Sequence, residues 1–537
     1  MISPIPLKDT EQTVERLAGV IERAIRHSAG RDIDAQQAAV ARLADIATRH
    51  RAARDLIAYA REVGARVPTL EEQAAVFAGH VVEECVRLAR LHGDEHGLDA
   101  GSIAPVDEAF AREALRDERV RAIGRQIAAT RGRNDAPLDE MLELTREAVR
   151  GFAESAIAPH AEHIHRGDET VPEEFLTQMG ELSYFGLSIP EEYGGSELGN
   201  VAMVITTEEL SRASLAAAGS LITRPEILAK ALLGGGTEKQ KRHWLPRIAS
   251  GELMVGISVT EPDIGSDVAG VKCRATRATV GDVEGWVIDG PKAWCTFAGR
   301  ADILAVLCRT DPDLSKGNRG LSLFIVPKER SRGHSFECVQ PHGGRLVGKA
   351  DATPGYRGMH SFTLNFESYF VPADHLVGEE AGLGRGFYLQ MAGFSAGRLQ
   401  TGGRACGVAQ AALERSAEYV VDRRQFGQPL IEFELTQHKL GWMATQLAAA
   451  RAITYAAAAA MDEDERAAAP YASQAKLLAC RVAVAVTQEG QLLHGGWGYA
   501  EEYAISRYTV DALVLPIFEG VEPILQLKVI GRALLAS

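Results

Sequence analysis

The chain has 537 residues, 46% of them hydrophobic, and a formal net charge of -14. This length and apolar content exclude a disordered polymer and exceed what one hydrophobic core covers, so several packed domains are expected. The acidic balance argues against nucleic-acid backbones or anionic membrane surfaces as the main partner.

The seven cysteines, Cys85, Cys273, Cys295, Cys308, Cys338, Cys406 and Cys480, are scattered and show no CxxC spacing. Neither a disulfide framework nor a metal site is expected, and a reducing cytoplasm fits. The N-terminal "MISPIPLKDTEQTVERL" lacks the basic-then-apolar run of a signal peptide, and no apolar stretch reaches membrane-spanning length.

Residues 1–137 read as helices. "TVERLAGVIERAIRHSA" and "DAQQAAVARLADIATRHRAARDLIAYAREV" carry apolar residues at three- and four-residue spacing. "TLEEQAAVFAGHVVEECVRLARLH" opens with Thr69 and Glu72 in capping-box spacing. No catalytic constellation is evident here, so a docking or oligomerisation module is expected. "TRGRNDAP", Thr130 to Pro137, reads as a boundary.

Helical periodicity resumes over residues 138–253, interrupted by the turn "IPEEYGG". Residues 254–377 change character. "GWVIDG", "ADILAVLCRT", "LSLFIVPKE" and "HSFTLNFESYFVP" are short, rich in β-branched and aromatic residues, and bounded by Gly, Pro or Asp. They read as antiparallel strands of a barrel or sandwich. Residues 378–537 are helical again, with runs of bundle length. The alanine run Ala456 to Ala460 suits a close helix contact.

Candidate chemistry begins at "ISVTEPDIGSD", Ile257 to Asp267, a strand ending in a turn whose small residues can approach a phosphate or a planar ring. In "KAWCTFAG", Trp294 and Thr296 differ by two and on a regular strand face one side. A tryptophan and a hydroxyl so placed suit an aromatic heterocycle, although a buried core tryptophan is the commoner use. In "DRRQFGQPL", Arg423 and Arg424 close a helix and suit either phosphate binding or the helix C-terminus. "LHGGWGYAEEY" gives Gly495 and Gly496, which allow close backbone approach to a ligand or simply end a helix. In "LPIFEGVEPI", Glu519 lies between apolar pairs, where a carboxylate either turns to water or serves as a tuned group.

The ordered series "PEEYGG", "VTEPDIGSD", "KAWCTF", "GR", "RRQFGQPL", "HGGWGY" and "IFEG" resembles the acyl-CoA dehydrogenase family over about Leu138 to Ser537. The resemblance implies a mainly helical protein: a helical domain, a middle β-barrel or sandwich and a C-terminal four-helix-type bundle, here with a helical N-terminal extension. It implies FAD, an acyl-CoA substrate, an electron-transferring flavoprotein as acceptor and a dimeric or tetrameric homo-oligomer. It implies FAD contacts from Ile257, Val259, Thr260, Gly265, Ser266, Trp294, Thr296, Arg423, Phe426, Glu434, Leu492, Gly495, Gly496 and Val521. Thr260 would meet the flavin edge, Trp294 cover one face, Thr296 approach N5, and Arg423 reach the pyrophosphate of a neighbouring subunit's FAD. Ser266, Arg224, Arg398 and Gly520 are the implied substrate contacts.

Glu519 falls on the family's base, which removes the α-proton of the thioester while the β-hydrogen leaves as hydride to the flavin. A minority of the family carries the base just before the "GR" arginine; here that residue is Gly397, which cannot act so. Val521-Glu522-Pro523, Glu434 and Leu492 (with Gln491 one place off) depart from the usual polar residues and put the adenosine-side contacts in question.

The extension and the long "HGGRLVGKADATPGYRGMHSF" segment resemble the (2S)-methylsuccinyl-CoA dehydrogenase subgroup, whose product is mesaconyl-CoA in the ethylmalonyl-CoA pathway. Arg224, in "GSLITRPEILAKALL", would pair with the free carboxylate of such a dicarboxylyl-CoA; Glu226 or a CoA phosphate is the alternative partner. Alternatives for the whole chain are an acyl-CoA oxidase, a dehydrogenase of another short or branched acyl-CoA, a flavin-bearing alkylation-response protein that binds DNA, and a non-catalytic helical scaffold.

Overall fold

The computed structural model describes residues 3–67, 69–134 and 137–536. Two residues of the expected boundary, Asp135 and Ala136, lie outside them. In chain order come α1 (Leu7–Ser28), α2 (Gln37–Val63), α3 (Thr69–His96), α4 (Pro105–Ala114), α5 (Asp117–Ala129), α6 (Glu140–Phe152), α7 (Ala158–Gly167) and α8 (Glu173–Glu181). Then follow α9 (Gly199–Ala213), α10 (Thr223–Gly235) and α11 (Glu238–Ala249). The strands are β1 (Val255–Ser258), β2 (Arg274–Val280), β3 (Val283–Thr296), β4 (Ile303–Arg309), β5 (Leu321–Pro327), β6 (Ser335–Val339), β7 (Arg345–Ala350) and β8 (Ser361–Pro372). The helices α12 (Gly386–Asp422), α13 (Glu434–Glu463) and α14 (Glu465–His494) close the main series, with shorter pieces after them. The chain divides into two compact units, residues 1–148 with 401–537, and residues 149–400.

In the first unit the N-terminal helices pack onto the C-terminal ones. Glycines allow the closest crossing: a Cβ on Gly124 of α5 would stand 1.9 Å from the Gln437 carbonyl oxygen, and one on Gly441 of α13 would stand 1.9 Å from that of Val120. The extension therefore docks within its own chain. Glu72, expected to cap α3, accepts from Arg119 at 3.1 Å, because a nearby guanidinium outcompetes a neutral backbone donor for a carboxylate. Within the alanine run, Ala457 and Ala458 are fully buried.

In the second unit the strands form one sheet in the order β1-β4-β2-β3-β8-β7-β6, with β5 on β4. It is not wholly antiparallel as expected: β1 runs parallel to β4, with Val255 opposite Ile303. The long crossover through the 260–270 turn and the β2–β3 hairpin permits this, as a tight turn could not. All of β4, "ILAVLCR", is buried. One of its faces packs on α10 and α11 through Leu228, Leu232, Leu245 and Ile248. The other meets Trp286, Phe324, Phe362 and Phe366 inside the sheet. Among the described residues no helix is long and apolar enough to cross a membrane.

Candidate active site

The second unit gathers Thr260, Trp294 and Thr296. The Ala293 N–H donates to the Thr260 carbonyl at 2.8 Å, which ties the turn after β1 to the end of β3. Glu261, 5% exposed, locks that turn by accepting from the Cys273 N–H at 2.8 Å and from Lys292 Nζ at 3.2 Å. Ile257 and Val259 pack beneath it, and Gly265 and Ser266 are exposed at its tip.

The simple alternation expected for Trp294 and Thr296 does not hold. The β3–β8 register shifts between Lys292 and Cys295, and Trp294 has a left-handed φ of 56°. Trp294 is therefore not a core residue: it is 59% exposed, whereas Thr296 is 7% exposed with its Oγ1 3.0 Å from Ser361 Oγ. A large ring held outward at a strained backbone position marks a contact surface.

Behind this edge lies Arg224, 5% exposed, in the first turn of α10. Its Nη1 donates to the Ser220 carbonyl at 3.3 Å and to Tyr356 Oη at 3.1 Å. Burial pushes the neighbouring Cys295 thiol up to about 12, against a hydrogen bond with Ser258 and the Arg224 charge. The expected alternative partner, Glu226, binds Ser188 through its carboxylate. Among the described residues no carboxylate forms an ion pair with Arg224. A cation in a helix's first turn also opposes the helix dipole. An uncompensated charge buried at such a place calls for an anion.

The first unit holds Glu519. Its side chain is 6% exposed, with Oε1 4.0 Å from Arg404 Nη2. Arg404, fully buried on α12, also donates to Thr401 Oγ1 at 2.5 Å and lies 4.7 Å over the Phe518 ring. Glu519 and Gly520 are both left-handed, with φ of 56° and 100°, and Lys476 Nζ donates to the Gly520 carbonyl at 2.7 Å. Ile517 is 61% exposed, so of the expected apolar flank it shields Glu519 least, and Arg404 of α12 stands against the carboxylate instead. Arg404 was not singled out in the sequence; a second arginine between the glycines of "TGGRACG" was the available signal. Arg398, half-buried, stands earlier on the same helix.

Arg423, Leu492, Gly495 and Gly496, separated by up to 73 positions in the chain, line one cavity of about 550 Å³ in this unit with Tyr419, His494 and Trp497. Gly495 has φ of 61° and open space where a Cβ would stand. The remaining candidates stand elsewhere. Phe426 is 94% exposed at a hairpin tip, Glu434 pairs with Arg121 of the extension, and Val521 caps a short helix at Glu522–Ile524. Taken separately, the outward tryptophan of the second unit suits the face of a planar ring, and the arginine-lined cavity of the first unit, with its open glycine turn, suits a phosphate.

Family models agree with this architecture: acyl-CoA dehydrogenase N-terminal domain over residues 139–252, middle domain over 256–369 and C-terminal domain over 384–535. The chain is 42% identical over 398 residues to the (2S)-methylsuccinyl-CoA dehydrogenase of Cereibacter sphaeroides, covering 74% of this chain and 70% of that one. It resembles the solved butyryl-CoA dehydrogenase of Megasphaera elsdenii, at TM-score 0.68 and 31% identity, over 75% of this chain and all of that one. It also resembles a glutaryl-coenzyme A dehydrogenase in its glutaryl-CoA complex, at TM-score 0.67 and 30% identity, over 75% of this chain and 97% of that one. The chain belongs to the acyl-CoA dehydrogenase family. It is an FAD-dependent oxidoreductase of that fold, with an added helical N-terminal region.

Proposed function

We propose that the chain oxidises a short dicarboxylyl-CoA, (2S)-methylsuccinyl-CoA, to mesaconyl-CoA. The observation that carries this is Arg224: buried, hydrogen-bonded only through Nη1 to neutral oxygens, and without a protein carboxylate among the described residues. A substrate carboxylate supplies the missing charge and can take Nη2 and Nε, since both N–H groups of Nη1 are used on Ser220 and Tyr356. The resemblance to a (2S)-methylsuccinyl-CoA dehydrogenase supports the same substrate.

In this scheme Glu519 takes the α-proton, and Arg404 and the left-handed backbone hold its carboxylate in place. The buried setting excludes water that would otherwise protonate the base. The bound FAD supplies the hydride acceptor. Trp294, with Thr260 and Thr296, orients the isoalloxazine ring, and the turn at Gly265 and Ser266 lies along the CoA path. The Arg423 cavity receives the pyrophosphate of a neighbouring subunit's cofactor, so the working unit is a homo-oligomer. An electron-transferring flavoprotein takes the electrons onward. The alternative of a flavin-bearing DNA-binding protein gains no support from these relatives or from a net charge of -14.

The test is competition. Equimolar methylsuccinyl-CoA and 2-methylbutyryl-CoA are offered together to the holoenzyme, and products are counted by mass spectrometry. Mesaconyl-CoA should dominate. A product ratio set by chain length alone would remove Arg224 from substrate selection.

A further inference from the structure

Three residues far apart in the sequence meet outside the site described above. Asp168 follows α7 in a left-handed conformation, with φ of 53°. His334 immediately precedes β6 and His360 immediately precedes β8. His360 Nε2 lies 3.1 Å from Asp168 Oδ1, and His334 Nδ1 lies 3.9 Å from Asp168 Oδ2. The two rings are 4.4 Å apart, and one ligand atom from each of the three residues falls within 4.8 Å of the others.

The second nitrogen of His334 indicates what belongs between the rings. His334 Nε2 lies 3.0 Å from the Asp168 backbone carbonyl. The His334 imidazole thus faces a backbone acceptor on one side and the Asp168 carboxylate on the other, and His360 turns Nε2 to the same carboxylate. A neutral imidazole has one N–H. If it is used on the backbone, a lone pair points at the carboxylate. That arrangement, with a backbone carbonyl fixing the tautomer and the other nitrogen converging on a shared point, is how metal-ligating histidines are held.

We propose that Asp168, His334 and His360 form a site for one divalent transition-metal ion of the Zn²⁺, Co²⁺ or Ni²⁺ kind. Two imidazoles and a carboxylate are the donor set such ions take, with water completing the shell. Ligand atoms about 2.0–2.2 Å from a common tetrahedral ion stand roughly 3.3–3.6 Å apart; the 3.1 Å separation here runs to Asp168 Oδ1 and the 3.9 Å one to Oδ2, so the carboxylate would turn to meet the ion. His360 is 5% exposed and fixed, while His334, 48% exposed, has room to rotate inward. A cavity of about 190 Å³ beside His360, lined also by Arg300 and Glu173, gives water access. Arg357 Nε lies 3.5 Å from Asp168 Oδ1 and competes with a cation. Its shorter hydrogen bonds run to the carbonyls of Thr353, at 3.2 Å, and His165, at 3.3 Å, so it stays anchored when the carboxylate turns to a metal.

The site ties the end of α7 and the start of β6 to the segment 351–360, which carries Tyr356, the partner of Arg224. A bound ion would therefore rigidify the backbone that presents Tyr356 to Arg224. The sequence hides this set, because its members lie 166 and 192 positions from Asp168.

The test uses the intact flavoprotein after treatment with a chelator. Calorimetric titration with Zn²⁺ or Co²⁺ should give one ion per chain, a raised Tm and slower amide exchange over 351–360. His334→Ala alters an exposed ring and should fold normally. It should weaken the ion by at least the roughly 10- to 100-fold that outer-shell changes alone cost. His360→Gln should abolish binding while FAD content stays unchanged. Stoichiometric binding that survives undiminished in His334→Ala would put the ion elsewhere and overturn the proposal. Absence of binding in the wild type, with a Tm that responds only to pH, would overturn it in favour of protons shared among the three groups.

Discussion

Replacing Arg224 by methionine separates substrate recognition from structure. The side chain is 5% exposed and donates to Ser220 and Tyr356 at 3.3 and 3.1 Å, with no ion pair among the described residues. Methionine keeps an unbranched stem and removes the guanidinium with its charge. If the natural partner is a substrate carboxylate, the variant leaves that carboxylate buried and unpaired, at a cost of about 2–5 kcal/mol. At roughly 1.4 kcal/mol per tenfold, kcat/KM for methylsuccinyl-CoA should fall by about 30- to 5,000-fold. Butyryl-CoA and 2-methylbutyryl-CoA meet a newly apolar wall and should be oxidised as well as before or better. The free protein loses an uncompensated buried cation, so its Tm should hold or rise. The assay is steady-state turnover of the three thioesters with one electron acceptor, beside a melting curve. Equal loss on all three with a lowered Tm would refute the reasoning and make Arg224 a structural residue.

Glu519→Gln preserves shape but cannot accept the proton; turnover should fall by at least about 100- to 10,000-fold while FAD and acyl-CoA still bind. Retention of more than about a tenth of the wild-type rate would move the base elsewhere. Gly441→Ala places a Cβ 1.9 Å from the Val120 carbonyl oxygen and should lower stability by at least about 1–3 kcal/mol, read as an earlier denaturant midpoint. An unchanged midpoint would mean that α5 does not dock on α13 in solution. Burial raises the Asp55 carboxyl from 3.8 to about 6, even though Tyr471 Oη donates to it at 2.7 Å. Below the lower value both states are protonated and nothing is lost; above the higher one the folded state carries the whole penalty, of order 3 kcal/mol. Asp55→Asn should therefore melt higher than wild type at pH 8, with the gap closing toward pH 4, and a gap independent of pH would contradict the burial account.

Much of the architecture was legible because it lies in local patterns. The strands of the second unit announce themselves by short β-branched runs, and β4 by an unbroken apolar one. Glu519 drew attention because a lone carboxylate stood between apolar pairs, and the fold buries its side chain to 6% exposure. What escaped depends on contacts between distant segments. Arg404 matters only because α12 brings it to Glu519 across 115 positions. Tyr356 meets Arg224 across 132 positions. The parallel β1–β4 pairing was hidden because strand patterns do not encode direction. The shared face expected for Trp294 and Thr296 failed for a local reason: period-two alternation assumes a regular strand, and the register shift between Lys292 and Cys295 breaks it.

The most direct test of the central claim is an anaerobic spectral titration of the yellow holoenzyme with single acyl-CoAs. (2S)-Methylsuccinyl-CoA should bleach the flavin at about one equivalent per site and yield a thioester two hydrogens lighter, faster than butyryl- or 2-methylbutyryl-CoA does. A flavin that stays oxidised with methylsuccinyl-CoA, or is reduced faster by the neutral thioesters, would contradict the assignment.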